Sequence, residues 1–299
     1  MSDAPPRVTG MILAAGLGTR LRPLTDELPK PLVPVGDRPV VAHIAERLAA
    51  AGIRDVALNT HHLAGAFTPA LLASLPVSLT VFHETTILGT AGGVRNAAPA
   101  LGDGDVLVWN GDILVHLDVG VLLAAHRRRG AQATLVVSPR PAGEGTIGLG
   151  HRGEVVRLRG ERFGEETSGG DFLGIYVMSP AMRAALPREG CLVGDACLPA
   201  LRAGQALGTF PVRGPWDDIG TVAAYLRANA RWLEREGKSA FLGEGAQMDE
   251  GVDLAGTVVG AGGRVVGEGP CSGVVVWPGA TARAPIRNAV VTTRHIVHG

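Results

Sequence analysis

The 299-residue chain has little cysteine, few aromatic side chains and no net charge. Its three cysteines, Cys191, Cys197 and Cys271, are odd in number and match no metal-ligand spacing, which argues against a disulfide framework or a cysteine-held metal and for free thiols in a reducing compartment. Lys plus Arg and Asp plus Glu each number 28. A nucleic-acid coat or a binder of acidic membranes needs a basic excess, so both classes are excluded and any site for a polyanion must be local. No apolar run reaches the ~18 residues of a membrane span. Residues 1–9 are polar with two prolines and lack the charged start, apolar stretch and cleavage site of a signal peptide, so a cytoplasmic protein is expected. Aromatics make up 4% and glycines number 43, a loop-rich α/β composition in a chain long enough for one large domain with a small appendage.

What the chain does have is concentrated in one stretch, Met11-Ile-Leu-Ala-Ala-Gly16-Leu-Gly18-Thr-Arg20-Leu-Arg22-Pro-Leu-Thr25, followed by Lys30-Pro31-Leu32. Residues 11–15 are apolar and too few for a helix, which suits a strand covered on both faces. Gly16 and Gly18 allow a tight turn that brings backbone N–H groups close to a ligand. Arg20, Arg22 and Lys30 place three cations in the same loop. Amides and cations after a buried strand are what a polyphosphate requires, since a hydrogen bond to a charged group contributes roughly 1.5–3 kcal/mol. The loop lacks the Gly-Lys-Ser/Thr ending of a Walker A sequence, and no third glycine completes the dinucleotide fingerprint.

Apolar spacing over 39–51 predicts a helix stopped by Gly52, residues 55–59 a strand, 63–75 a helix broken locally by Pro69, and 77–82 a strand. This alternation calls for a mainly parallel sheet with helices on both faces. His61 and His62 are neighbours and point to opposite faces of an extended segment, so a metal role is not expected of them. A glycine-rich loop over 83–93 leads into a helix at 94–98. A strand over 105–109 delivers Asn110-Gly111-Asp112 at its carboxyl end, where open α/β sheets bind ligands. Asp118 is the better cap for the helix that runs to 129, which leaves Asp112 available as a hard oxygen ligand. A strand over 133–138, a hairpin of 144–153 with 154–158, and a strand over 171–177 break the rhythm. Short helices at 180–186 and 195–203 and a strand at 207–212 precede Trp216-Asp217-Asp218-Ile219-Gly220-Thr221. That segment opens a long helix over 222–236, which Thr221 suffices to cap. From about 243, apolar residues recur near every sixth position, which predicts the coils of a left-handed parallel β-helix. Such a short coil stack leaves an open face and must pack on the main domain or on another subunit.

The opening motif resembles the signature of the sugar-1-phosphate nucleotidyltransferases, the NDP-sugar pyrophosphorylases: Leu-Ala-Ala-Gly, two residues, Thr-Arg-Leu, one residue, Pro-Leu-Thr, then Lys-Pro-Leu. Every element is present here. The resemblance implies an α/β fold with a Rossmann-like mixed, mainly parallel sheet over a catalytic domain, 1–238, and a short left-handed β-helix tail, 239–299. It implies a nucleotide site at Leu13, Ala14, Ala15, Gly16, Gly18, Thr19, Arg20, Glu84, Gly89, Thr90, Asn110 and Gly111, with residues 88–92 against the base. Gly148 and Gly174 match sugar-site positions. Arg162 stands where the family often has the lysine of Glu-Lys-Pro, and Phe172-Leu173-Gly174 stands for its Asn-Ala-Gly. Asp218 occupies the acidic position of the family's Trp-x-Asp-x-Gly-Thr, so Asp112 and Asp218 are the implied ligands of Mg²⁺.

The chemistry implied is attack of a sugar 1-phosphate oxygen on the α-phosphorus of a nucleoside triphosphate with departure of pyrophosphate. Arg20, Lys30 and Asp112 would be catalytic, and no nucleophilic side chain is needed because the substrate phosphate is already ionised. Residues 88–92 look most like those of mannose-1-phosphate guanylyltransferases, so GTP and mannose 1-phosphate are the expected partners, with no nucleic acid, no membrane, and a homo-oligomer through the tail. Other readings are a uridylyltransferase acting on a hexose or N-acetylmuramate 1-phosphate and a transferase for a non-sugar phosphate. Two more are a catalytically silent regulatory subunit and an acyltransferase built on the tail, for which His295 and His298 lie at the extreme end.

Overall fold

A computed structural model describes residues 7–299; residues 1–6, and with them most of the amino-terminal stretch read above for a signal peptide, lie outside the described residues. No helix among the described residues is long and apolar enough to cross a membrane. Contacts divide the chain into two compact units: Met1–Gly16 with Ile44–Pro215, and Leu17–His43 with Trp216–Gly299.

The first unit is built on a ten-stranded mixed sheet. Its strands are β1 (Thr9–Leu13), β2 (Asp55–Thr60), β3 (Ser78–His83), β4 (Val106–Asn110), β5 (Ala133–Arg140), β6 (Ile147–Leu149), β7 (Val155–Leu158), β8 (Glu161–Arg162), β9 (Ser168–Met178) and β10 (Leu207–Pro211). The order is β8-β7-β6-β9-β4-β1-β2-β3, and β5 joins β9 to β10. β1 runs parallel to β2 and β4, β2 to β3, and β5 to β10. The long β9 is antiparallel to β4, β5 and β6. β1 is central, which is why its apolar run does not alternate: Met11 and Ile12 are both fully buried. The α/β rhythm as far as Arg129 is as expected, with α1 (Val40–Ala50), α2 (Gly89–Asn96) and α3 (Val119–Arg129) following strands. Asp118 caps α3 by accepting from the Val121 amide, as its place before an apolar pair predicts.

Two helices depart from expectation. The helix read over 63–75 is a single α-turn at Pro69–Ala73 after a 3₁₀ turn at Ala64–Ala66; Pro69 starts it, with Thr68 as its cap, because a proline in the first turn has no N–H to lose. α2 begins at Gly89 rather than at the expected Val94, so the glycine-rich segment is its first turn.

In the second unit, three 3₁₀ turns, Thr19–Leu21, Leu24–Asp26 and Lys30–Leu32, lead into a two-stranded ladder of Pro34–Val35 with Arg38–Pro39. β11 (Trp216–Asp218) precedes α4 (Val222–Arg235), capped by Thr221. α4 buries Tyr225, Ala228, Asn229, Trp232 and Leu233, one face of a 3.6-residue period. Beyond it the chain stacks in parallel coils. Ala240 pairs with Thr257, and Val258 with Val275, so successive coils keep one length; the last coil is shorter, and Val275 pairs with Val290. The apolar period near six therefore repeats several times within each coil. An antiparallel strand, Ile296–His298, closes the stack on Ala289–Val291.

Candidate functional site

At the carboxyl ends of the parallel strands of the first unit, backbone and side chains interlock. The Leu13 carbonyl accepts from the Gly111 amide at 2.8 Å, which ties the end of β1 to the turn carrying Asp112. The Ala14 amide donates to Asn59 Oδ1 at 2.7 Å. Asn59 Nδ2 donates to Glu84 Oε1 at 2.7 Å, and Glu84 Oε2 accepts the Leu88 amide at 3.0 Å. Asn59 and Glu84 are almost completely buried, so these bonds form in a low-dielectric setting. His61 Nδ1 donates to the Glu84 carbonyl, which accounts for one of the paired histidines without a metal. Glu84 was expected among nucleotide ligands; the structure commits both its carboxylate oxygens to Asn59 and the Leu88 amide.

The glycines of α2 are required by neighbours. A Cβ on Gly93 would stand 2.6 Å from Asn59 Nδ2, and one on Gly89 would stand 2.3 Å from the Gly190 carbonyl oxygen. Gly190 in turn accepts the Ala91 amide and donates to the Leu88 carbonyl, and Thr90 Oγ1 accepts the Leu192 amide at 2.8 Å. The segment over 188–192 thus braces the turn read as the base-binding loop. Gly174, at φ +72°, leaves room for the Asn110 side chain, whose Nδ2 would lie 2.3 Å from an added Cβ. Gly148 faces the carboxylate of Glu166, which Arg157 grips through Nε at 2.8 Å and Nη2 at 3.1 Å. That bidentate bond and the Gly143 amide hold the Glu166 carboxyl well below the usual range, at about 2. Arg162 is exposed on β8, in register with Arg157.

The second unit holds the basic part of the motif. Gly18 sits in the left-handed region at φ +65° and opens the Thr19–Leu21 turn. Thr25 Oγ1 donates to its carbonyl at 2.9 Å, and a Cβ on Gly18 would approach Thr25 Cγ2 to 2.7 Å and Lys30 Cγ to 3.1 Å. Lys30 is therefore packed beside the turn. Arg20 Nη2 lies 3.6 Å from Asp218 Oδ2. Both line a cavity of about 270 Å³ with Gly220, Thr221, Arg227 and Arg231. Gly220 is a contact position: a Cβ there would stand 2.9 Å from Arg20 Nη2 and 3.0 Å from Asp218 Oδ1. Asp217, on the opposite face of β11, is buried against Arg231, and burial pushes its carboxyl above the ordinary range. Thr221 caps α4, so neither aspartate does. Arg22 pairs with Asp26 at 3.2 Å.

The sequence gives no role to Asn59, and it shows Thr25 and Gly220 only as members of their motifs. Asn59 had a signal: with Thr60 it puts uncharged polar side chains at the carboxyl end of a parallel strand whose middle, 56–58, is apolar. Among the described residues no group of three or more His, Cys, Asp or Glu side chains is placed to hold a metal. A cation here would take one or two carboxylates and complete its shell with substrate phosphate and water, a donor set that fits Mg²⁺.

The family described as nucleotidyl transferase matches residues 9–235. The mannose-1-phosphate guanyltransferase of Yarrowia lipolytica is 31% identical over 235 residues, 75% of this chain and 64% of that protein. The probable mannose-1-phosphate guanylyltransferase 1 of Oryza sativa subsp. japonica is 30% identical over 291 residues, 93% of this chain and 78% of that protein. The chain thus spans under two thirds of the fungal relative's length. The crystal structure of HddC from Yersinia pseudotuberculosis shares the fold at a TM-score of 0.63 and 23% identity, over 75% of this chain and 99% of that one. A signature loop that matches the family at every element, on the strand-end scaffold just described and within a match over 9–235, carries one conclusion: the chain belongs to the nucleotidyl transferase family.

Proposed function

We propose that this protein joins a nucleoside triphosphate to a sugar 1-phosphate, releasing pyrophosphate and an NDP-sugar, with GTP and mannose 1-phosphate as its substrates. The observation that carries this reading is the pairing of Arg20 with Asp218 in a cavity where both side chains lie close against Gly220. The names of the fungal and rice relatives support the choice of base and sugar.

The obstacle to the reaction is charge. Two like unit charges 4 Å apart repel by about 4 kcal/mol at an effective dielectric near 20. Arg20 holds the β- and γ-phosphates and stabilises the charge that leaves with pyrophosphate. Lys30 neutralises the α-phosphate, and the amides of Gly16, Gly18 and Thr19 hold phosphate oxygens. Leu13, Ala14, Ala15, Asn110 and Gly111 shape the strand end behind the nucleotide. Glu84, Gly89 and Thr90 are assigned to the nucleotide, at the turn that faces the base. Gly148, Gly174 and Arg162 are assigned to the sugar phosphate. Asp112 and Asp218 would hold Mg²⁺, which supplies positive charge against the repulsion of the two polyanions.

The proposal extends to a cytoplasmic location, to no nucleic-acid or membrane partner, and to a homo-oligomer formed through the tail. A catalytic domain over 1–238 and a left-handed hand for the coils of 239–299 are part of it. The test is a grid of four nucleoside triphosphates against several sugar 1-phosphates, with and without Mg²⁺, read as pyrophosphate release. Turnover is expected with GTP and mannose 1-phosphate in the presence of Mg²⁺. Faster release from UTP with a hexose or N-acetylmuramate 1-phosphate would replace the substrate pair, and no release from any pair would end the enzymatic reading.

A further inference from the structure

We propose that the carboxy-terminal hairpin is a positioning element for the triphosphate loop, acting through Thr292 and Glu27; the proposal rests on the nucleotidyl transfer reading above.

Glu27 lies in the signature loop, between Thr25 and Lys30. Its amide donates to the Leu24 carbonyl, and Thr25 Oγ1 holds the Gly18 carbonyl, so Glu27 belongs to the same turn system that shapes the phosphate-facing segment. Its side chain is only 8% exposed, although it is a carboxylate in a loop. A carboxylate is buried at such a place only when it is bonded. Its partners come from the far end of the chain. Thr292 Oγ1 accepts the amides of Arg294 at 3.1 Å and His295 at 2.8 Å, which fills its two lone pairs. Its one proton is therefore donated outward, to Glu27 Oε1 at 2.5 Å. Arg294 Nε and His295 Nε2 stand 3.7 and 3.8 Å from the two carboxylate oxygens. The turn that presents them is itself fixed, because Ala289–Val291 and Ile296–His298 pair as antiparallel strands and the former is fully buried. Residues 292–299 thus form a clamp on a loop built of short 3₁₀ turns.

Glu27 and Thr292 are positioning residues: neither is placed to touch phosphate, and both act through the loop that carries Arg20 and Lys30. The consequence is a selective one. Loosening the clamp should weaken the hold on the triphosphate and leave the sugar phosphate unaffected.

The test compares Thr292→Val, which keeps the shape and removes the hydroxyl, with Thr292→Ser, which keeps the hydroxyl, and with Glu27→Gln, all in the full-length chain. Steady-state pyrophosphate release is expected to show kcat/KM for the triphosphate lower by about tenfold in Thr292→Val and Glu27→Gln, the scale of lost preorganisation when one charged hydrogen bond is removed. KM for the sugar 1-phosphate should not move, and Thr292→Ser should behave as the parent does. Hydrogen exchange of the ligand-free protein should show faster exchange of amides over 19–33 in Thr292→Val than in the parent. A triphosphate kcat/KM within twofold of the parent in Thr292→Val would overturn the proposal. So would an equal loss for both substrates that Thr292→Ser does not repair, which marks general destabilisation. If the parent releases no pyrophosphate from any substrate pair, the functional reading fails by itself; hydrogen exchange then decides the clamp, and unchanged protection of the loop in Thr292→Val refutes it.

Discussion

Two glycines of one motif have different reasons to be glycine. Gly18 is held at φ +65° with Thr25 and Lys30 against it, so its lack of a side chain serves the fold. Gly16 has open space around it and lies outside the left-handed region, so nothing in the described chain demands glycine there. A ligand that must approach the backbone is the remaining reason. Gly16→Ala is expected to leave Tm unchanged while kcat/KM for the triphosphate falls about tenfold or more, since a displaced phosphate loses its near-attack geometry. Gly18→Ala should lower both, and thermal unfolding beside pyrophosphate release separates the two. The adjacent aspartates divide in the same way. Asp218→Asn should reduce turnover by roughly 10²–10³, the scale of losing one preorganised electrostatic group, at unchanged stability. Asp217→Ala should instead cost about 0.5–1.5 kcal/mol by removing one of the two acceptors of Arg231, which keeps the Trp216 carbonyl. Normal turnover in Asp218→Asn would remove that residue from the site. Arg20, Lys30 and Asp218 can be proposed from the sequence because each carries its chemistry in its own side chain and sits in a short motif. Asn59 and Glu84 were legible only in part. What they do depends on bonds that join positions 14, 59, 84 and 88, and no local pattern encodes those.

Elements are legible in sequence where one period rules them and obscure where a neighbour decides. α1, α3 and α4 match their expected spans to within a residue or two, because each has an apolar stripe and a cap or stop signal. The glycines of α2 read as loop, so the sequence puts its start at Val94, whereas the helix begins at Gly89. Gly89 and Gly92 lie against the backbone of 188–190 and Gly93 against Asn59 and Glu84, contacts that are invisible in sequence. The coils of the tail were legible as a period, while the length of each coil depends on where its turns fall. The hairpin of β6 and β7 has an electrostatic lock that the sequence did not reveal, the pair of Arg157 with Glu166. Its pH dependence follows from the direction of the shift. The folded protein holds the Glu166 carboxyl at about 2, against an ordinary 4.5, so the unfolded chain takes up its proton first as pH falls. The pair therefore contributes its full stability above about 4.5 and loses it progressively as pH falls towards 2. The difference in Tm between the parent and Glu166→Gln should be constant from neutral pH to near 5 and shrink below that. A difference that grows on acidification would contradict the assignment.

At the scale of the molecule, the signature motif is divided: residues to Gly16 belong to the compact unit of the large sheet, and Leu17–His43 to the unit of α4 and the coiled tail. The bonds that hold Leu17–His43 explain the grouping. Tyr225 of α4 donates its hydroxyl to the Pro34 carbonyl at 2.5 Å and accepts from Trp277 Nε1 of the tail at 3.1 Å. Asn229 accepts the Gly36 amide at 2.9 Å, and Gly36, at φ +64°, has the Trp232 ring where a side chain would be. Loop, helix and tail therefore share one core, and the tail is structural material for the loop. If so, Tyr225→Phe and Trp277→Phe should not act independently. Tyr225→Phe leaves both the Pro34 carbonyl and the indole N–H of Trp277 buried without their partner, a loss of about 1–3 kcal/mol. Trp277→Phe removes a donor and leaves the Tyr225 hydroxyl still bonded to Pro34, a loss of about 1 kcal/mol for the hydrogen bond besides its change in packing. In the double variant the indole N–H is gone, so the unsatisfied donor that made Tyr225→Phe costly is gone with it. The double variant should be less destabilised than the two single losses added together, by about 0.5–3 kcal/mol, as groups in one hydrogen-bonded chain are. Denaturant unfolding of the four proteins measures it. Strict additivity would mean that the tail and the helix beside the loop are stabilised separately, and the tail would then be an appendage after all.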